Sequence, residues 1–220
     1  MIPVSTQRSE LVEAARVLSR LGLVTAFGHV SARAGASMLI TPAADLATVT
    51  ESTIVDVPLE AFTLPRAAPA EAWAHLALYR ARPDAGSIAR AQPASAVAAA
   101  ATTTSLTPLH GQAAWLGESI PVHDGAQLLR SAELAERAAR SLPTGEALLL
   151  RGNGALTLGA TPGVAVTRMW LLSAACDAFV ATRAAGRAEP LTVEEIASWR
   201  AVRDELLPRL WRHLRERSLV

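Results

Sequence analysis

The stretch Ala68-Pro69-Ala70-Glu71-Ala72-Trp73-Ala74-His75-Leu76-Ala77-Leu78-Tyr79-Arg80 decides how the chain is read. Pro69 breaks whatever precedes it, and its fixed φ suits the first turn of a helix. Trp73, Leu76, Ala77 and Arg80 recur at three-and-four spacing, which predicts a helix with one side against a core. Glu71 is expected in the first turn, where the helix dipole favours a negative charge. Arg82-Pro83-Asp84-Ala85-Gly86 then reads as a turn. Gly86-Ser87-Ile88-Ala89-Arg90-Ala91-Gln92-Pro93 follows as a short buried strand stopped by proline.

Upstream, Ser9 is expected to cap a helix running to Leu21, with Leu11, Ala14, Ala15, Leu18 and Leu21 as its apolar stripe and Gly22 as a left-handed stop. Residues 23–33 read as a loop, with His29 either in a pocket or in a surface turn. Residues 38–42 and 53–57 read as strands. Downstream, residues 94–101 read as a packed helix, and Gly117 as a turn between segments 108–112 and 120–124. His110 and His123 fall in loop-like sequence. Residues 128–142 and 162–185 are predicted helices, with a strand, a Gly-Asn-Gly turn and a second strand over 147–159 between them. Thr192 and Glu195 form a capping box for one final helix that carries Trp199, Leu206, Leu210, Trp211 and Leu214 among arginines.

At 220 residues, half of them hydrophobic, the chain fits one domain, residues 1–220, with a helical extension at about 192–217. The net charge of +1 gives no basic surface for nucleic acid. All 21 basic residues are arginine, so Schiff-base chemistry on a lysine is excluded. Cys176, the one cysteine, sits in an apolar run and reads as a buried small residue; with no signal-peptide pattern, a cytoplasmic location is expected. No apolar run reads as long enough to span a membrane.

The Glu71 helix, the Tyr79-Arg80-Ala81-Arg82-Pro83-Asp84 segment and the strand after it resemble the class II aldolase/adducin family. So do Gly28-His29-Val30-Ser31-Ala32-Arg33 and Arg151-Gly152-Asn153-Gly154. The resemblance runs from residue 11 to about 191. It implies a three-layer α/β/α fold around a mainly antiparallel sheet, cyclic tetramers, and pockets at subunit contacts. It also implies a divalent metal held by three histidines, with a carboxylate moving a proton. At the three histidine positions this chain has Arg90, Gln92 and Asn153. Where the family holds a phosphate, it has Ala43-Ala44 and Pro69-Ala70. Alanine lacks a hydroxyl, and proline lacks an N–H.

By resemblance, Gly28, His29, Ser31, Arg33, Thr41 and His110 are expected substrate contacts, His110 from a neighbouring subunit; Gln92 and Asn153, which replace two of the histidines, are expected to hydrogen-bond the same substrate oxygen as Arg90. A guanidinium has no lone pair for a metal, and amide oxygens are poor ligands for zinc. The expectation is therefore no catalytic metal and no other cofactor. Glu71 would act as acid or base, and Arg90 would replace the metal electrostatically. That describes a lyase, dehydratase, decarboxylase, cyclase or isomerase acting on a non-phosphorylated carbonyl or carboxylate. Two alternatives stand beside it: a non-catalytic, adducin-like binding or oligomerisation protein in which Arg90 only neutralises Glu71, and a metal-dependent aldolase with unusual ligands. His75 reads as a part of the helix rather than a ligand.

Overall fold

The computed structural model describes residues 4–217. Its strands are β1 (His29–Ala34), β2 (Ser37–Ile40), β3 (Val55–Pro58), β4 (Ser87–Ala91), β5 (Ser105–Leu106), β6 (Ile120–His123), β7 (Ala147–Leu150) and β8 (Gly154–Gly159). They form one sheet in the order β3-β2-β1-β4-β8-β7-β6-β5. β6 and β7 pair in parallel and every other neighbouring pair is antiparallel. The helices are α1 (Val4–Arg20), α2 (Ala72–Ala81), α3 (Ala94–Ala100), α4 (Ala132–Arg140), α5 (Pro162–Ala185), α6 (Val193–Ala201) and α7 (Arg203–Arg217).

The pleat sorts side chains into two cores. Val30, Leu39, Ala89, Ala91, Leu149 and Ala155 face α1, α3, α5 and α7. Met38, Ile40, Ile88, Leu148, Leu150, Leu156 and Leu158 face α2 and α4. Period-two alternation therefore turns His29, Ser31 and Arg33 of β1, and Arg90 of β4, toward the α2 layer. This is the α/β/α arrangement expected from the resemblance.

Several boundaries differ from the sequence reading. Ser9 lies inside α1 rather than capping it, and its hydroxyl donates to the Thr6 carbonyl. Gly22 does close that helix, at φ +69°. His29 begins a strand instead of sitting in a loop. Glu71 is the N-cap of α2, one position before the first turn. The helix is not one-sided: Ala74 through Tyr79 are all buried, because α2 lies between the sheet and α4. Arg80 of the predicted stripe is exposed and donates to the Leu59 and Ala61 carbonyls. His123 ends a strand, and α4 starts at Ala132 behind the Ser131 cap.

The predicted final helix is two helices that meet at Val202, each packed through a tryptophan. Trp199 lies over Gly111 and Trp211 over Gly163; a Cβ on Gly163 would stand 2.5 Å from the Trp211 ring. Arg203 adds an ion pair to Glu146, which also holds Arg168 at 2.8 Å. The capping box of Thr192 and Glu195 forms as predicted. Contrary to the sequence reading, α5 is long and apolar enough to cross a membrane by length and composition; half of it is buried, and its inner face carries Val166, Met169, Leu172 and Cys176. Burial pushes the Cys176 thiol up to about 12, so it is held as a neutral core group.

Candidate functional site

Three chain segments converge at the mouth of the α2 layer. The first is the N-terminus of α2, where Pro69 accepts a turn bond from the Ala72 N–H and leaves Glu71 as the N-cap. The second is the end of β4, which carries Arg90 and, just past it, Gln92. The third is the turn between β7 and β8. There Asn153 sits between Gly152 and Gly154, both in the left-handed region. A Cβ on Gly154 would stand 2.2 Å from the Ala91 carbonyl oxygen, so only glycine lets this turn close onto the end of β4.

The result is one polar cluster. Arg90 Nη2 donates to Asn153 Oδ1 at 2.5 Å and stands 3.4 Å from Glu71 Oε1. Asn153 Nδ2 donates to the same Glu71 oxygen at 3.2 Å, and Gln92 Nε2 donates to Asn153 Oδ1 at 3.2 Å. Glu71 Oε1 thus takes both contacts, while Oε2 takes none among the described residues. Arg90 is 2 % exposed. Burial works against its charge and Glu71 supports it. Its Nη1 is buried without a partner.

His29 stands directly opposite Arg90 in the β1–β4 register. Burial, and then the Arg90 charge, push its imidazole down to about 3, so it is neutral at ordinary pH. Its Nδ1 is buried without a partner, and the residue lines the cleft beside this cluster. Behind it lies a second imidazole, His75, 5.9 Å away and edge-on. His75 is held well below its ordinary value by burial, His29 and Arg90.

Ser31 Oγ lies 2.7 Å from His75 Nδ1 and 2.9 Å from the Tyr79 hydroxyl. Among the described side chains, Ser31 Oγ is the one acceptor within reach of the buried Tyr79 proton. Tyr79 therefore donates to Ser31, and Ser31 donates to His75 Nδ1. This places the His75 proton on Nε2, a buried atom with no partner. Burial also pushes the Tyr79 phenol up, so it remains a donor.

A cleft of about 190 Å³ opens beside this cluster. Its walls are Ala26, Phe27, Gly28, His29, Ala43, Ala44, Pro69, Ala70, Glu71 and Arg130. Glu71, Arg90, Gln92, Asn153, Gly28 and His29 are thus brought together as the sequence reading expected. Arg90 is behind the wall rather than in it. Ser31 faces His75 and Tyr79 below the floor. Thr41 is fully buried, and its hydroxyl accepts from the Val30 N–H at 3.2 Å. Arg33 points to the far end of α2, where it donates to the Tyr79, Arg82 and Ala85 carbonyls. His110 caps the short helical segment Gly111–Leu116 and lies outside the cleft. Sequence reasoning did not find Arg130: it reads as part of a helix over 128–142, whereas it precedes α4 and only the fold carries it to the cleft wall that Glu71 shares.

A metal of the kind the resemblance implies does not fit these donors. Arg90 offers no lone pair, and Asn153 Oδ1 is already taken by two N–H groups. Among the described residues, no three of His, Cys, Asp or Glu gather in one place.

Solved structures share this fold. The L-fuculose-1-phosphate aldolase of Thermus thermophilus is 27 % identical, with a TM-score of 0.75 over 83 % of this chain and 98 % of that one. A second L-fuculose 1-phosphate aldolase is 23 % identical, with a TM-score of 0.82 over 89 % and 95 %. An aldolase II superfamily protein from Pseudomonas syringae is 21 % identical, with a TM-score of 0.81 over 97 % and 92 %. No curated protein matches the chain in sequence. The shared fold makes this a class II aldolase-like protein. The family model "Class II Aldolase and Adducin N-terminal domain" matches residues 9–180, and the chain belongs to that family.

Proposed function

We propose that this chain is a metal-independent, lyase-type member of its family that works by acid–base chemistry on a non-phosphorylated carbonyl or carboxylate substrate. The observation that carries the reading is the division of labour at Glu71. Oε1 is fixed by Arg90 and Asn153, and Oε2 is left free at the wall of the cleft. A carboxylate held by one oxygen and open at the other is oriented for proton transfer. Oε2 removes or returns a proton at the carbon next to a carbonyl.

The charge that develops on the carbonyl oxygen meets a fixed positive potential from buried Arg90 and a neutral His29 imidazole at the cleft. Arg90 positions Glu71 and supplies that field from behind the wall; it is the part that a metal would otherwise play. Dehydration, decarboxylation, cyclisation, isomerisation and C–C cleavage all share this proton step. The reading includes one domain with a helical extension, a cytoplasmic location and the homotetramer of the family.

The first test is metal content per subunit by plasma mass spectrometry, after dialysis and again after loading with zinc, iron or manganese. The proposal expects far less than one metal per subunit in both states. Near-stoichiometric metal would return the chain to metal-assisted chemistry with an unusual ligand set. A non-catalytic binding protein is the second reading. It is favoured by one fact: Arg90 already has partners in Glu71 and Asn153.

A further inference from the structure

We infer that the Glu71 cleft receives a short monocarboxylic acid and that Arg130 is the residue that selects it. The inference rests on the proposed reading of this cleft and goes on to name its substrate class. Three side chains on the wall bear ionisable groups: His29, Glu71 and Arg130. His29 is neutral. The Glu71 charge is matched by Arg90 behind it. The Arg130 backbone N–H donates to the Leu128 carbonyl, but its guanidinium has no hydrogen bond or ion pair with any described residue and is exposed at the lip. The cleft therefore carries one uncompensated positive charge, which a monoanion neutralises.

The rest of the wall decides which anion. Phosphate needs several donors around three oxygens, and the lining from Ala43-Ala44 and Pro69-Ala70 offers no hydroxyl and, at Pro69, no N–H. A carboxylate needs only one planar fork, which a single guanidinium supplies through two parallel bonds. Size points the same way. At about 190 Å³ the cleft lies below the range of drug-sized pockets, roughly 300–1,000 Å³. A short oxo or hydroxy acid fits, with its carboxylate on Arg130 and its reacting carbon inward at Glu71 Oε2. Phe27, 66 % exposed, adds an apolar side chain to the lining.

The test is binding to the full chain followed by saturation-transfer NMR, with pyruvate, lactate and 2-oxobutyrate as probes and with inorganic phosphate and dihydroxyacetone as competitors. Wild type is expected to bind the three acids, and neither competitor is expected to displace them. Arg130→Gln should weaken binding about tenfold or more, the size of one lost charge-assisted contact. Arg130→Lys should recover part of it. Glu71→Gln should keep binding, which separates this inference from the acid–base role of Glu71. That role can fail by unchanged turnover in Glu71→Gln while the Arg130 result stands. Arg130 is exposed, so circular dichroism of its variants should match wild type. Binding that is unchanged in Arg130→Gln overturns the inference, as does displacement by phosphate or failure of all three acids to bind at millimolar concentration.

Discussion

Arg90 and Glu71 meet through one nitrogen and one oxygen at 3.4 Å, and the two side chains differ in access to water: 3 % of the Arg90 side chain is exposed against 13 % for Glu71. The distance is long for a tight hydrogen bond, so Asn153, bonded to both, completes the contact. The asymmetry has an energetic consequence. Removing the Glu71 charge strands a guanidinium in the interior, whereas removing the guanidinium leaves a carboxylate beside the cleft. Glu71→Gln is expected to destabilise the fold by on the order of 3 kcal/mol. Arg90→Met should cost less, and the double variant should regain most of the loss. Urea unfolding of the four proteins checks this; additive losses would show that the pair is not coupled.

The two buried imidazoles set a pH dependence. The unfolded chain protonates His29 near the ordinary value of 6.5, while the folded chain holds it neutral down to about 3. His75 is shifted in the same direction. Below 6.5 the unfolded state therefore binds protons that the folded state refuses, and stability falls with falling pH. His29 contributes up to about 1.4 kcal/mol per pH unit between its two values, and His75 adds to the loss in the same direction. His110 and His123, lowered mainly by burial, add to the total. Urea midpoints of wild type and His29→Asn, compared between about pH 7 and about pH 5, isolate the His29 share. The variant should show the shallower slope; equal slopes would mean that His29 titrates normally.

The Tyr79–Ser31–His75 chain predicts an order of losses. Ser31→Ala removes the middle member and leaves two buried groups unsatisfied, at a cost of about 2–3 kcal/mol. Tyr79→Phe removes an end and lets the Ser31 proton stay on His75, at about 1 kcal/mol. Chemical denaturation ranks them, and the reverse order would contradict the assigned proton directions.

At Gly163, the Trp211 ring leaves no room for a methyl group. Gly163→Ala is expected to loosen α7 from α5 by pushing out Trp211, with little change in the sheet. Limited proteolysis should then cut near Val202 in the variant well before wild type. Identical cleavage would show that the contact is not what holds the helix.

Much of this is legible in the sequence where one physical signal acts alone. β4, the β7–β8 pair and α5 have the predicted bounds within a residue or so, because proline, glycine and apolar runs mark them. The grouping of Glu71, Arg90, Gln92 and Asn153 comes from a family resemblance. Composition or spacing alone does not join Glu71 to a residue 82 positions away. The all-round burial of α2 is not legible, because its Ala and Leu residues fit a one-sided helix as well as a helix packed on two sides. Thr41 and Arg33 read as substrate contacts by resemblance, yet the Thr41 hydroxyl accepts from the Val30 N–H and Arg33 donates to three backbone carbonyls. Hydrogen-bond demand of that kind is settled by packing. Arg130 shows the reverse case, a residue that reads as part of a helix and that the fold leaves ahead of α4 at the cleft.

The central claim is that Glu71 moves a proton without a metal. Its most direct test is hydrogen–deuterium exchange of pyruvate, lactate and 2-oxobutyrate in deuterated buffer, followed by NMR with a strong chelator present. The account predicts exchange at the carbon next to the carbonyl or carboxylate of at least one acid, faster than in buffer alone. It also predicts that the chelator has no effect and that folded Glu71→Gln loses the exchange. Exchange that stops with chelator and returns with zinc, or that survives Glu71→Gln, would contradict it; no exchange from any of the three acids would favour the binding-protein reading instead.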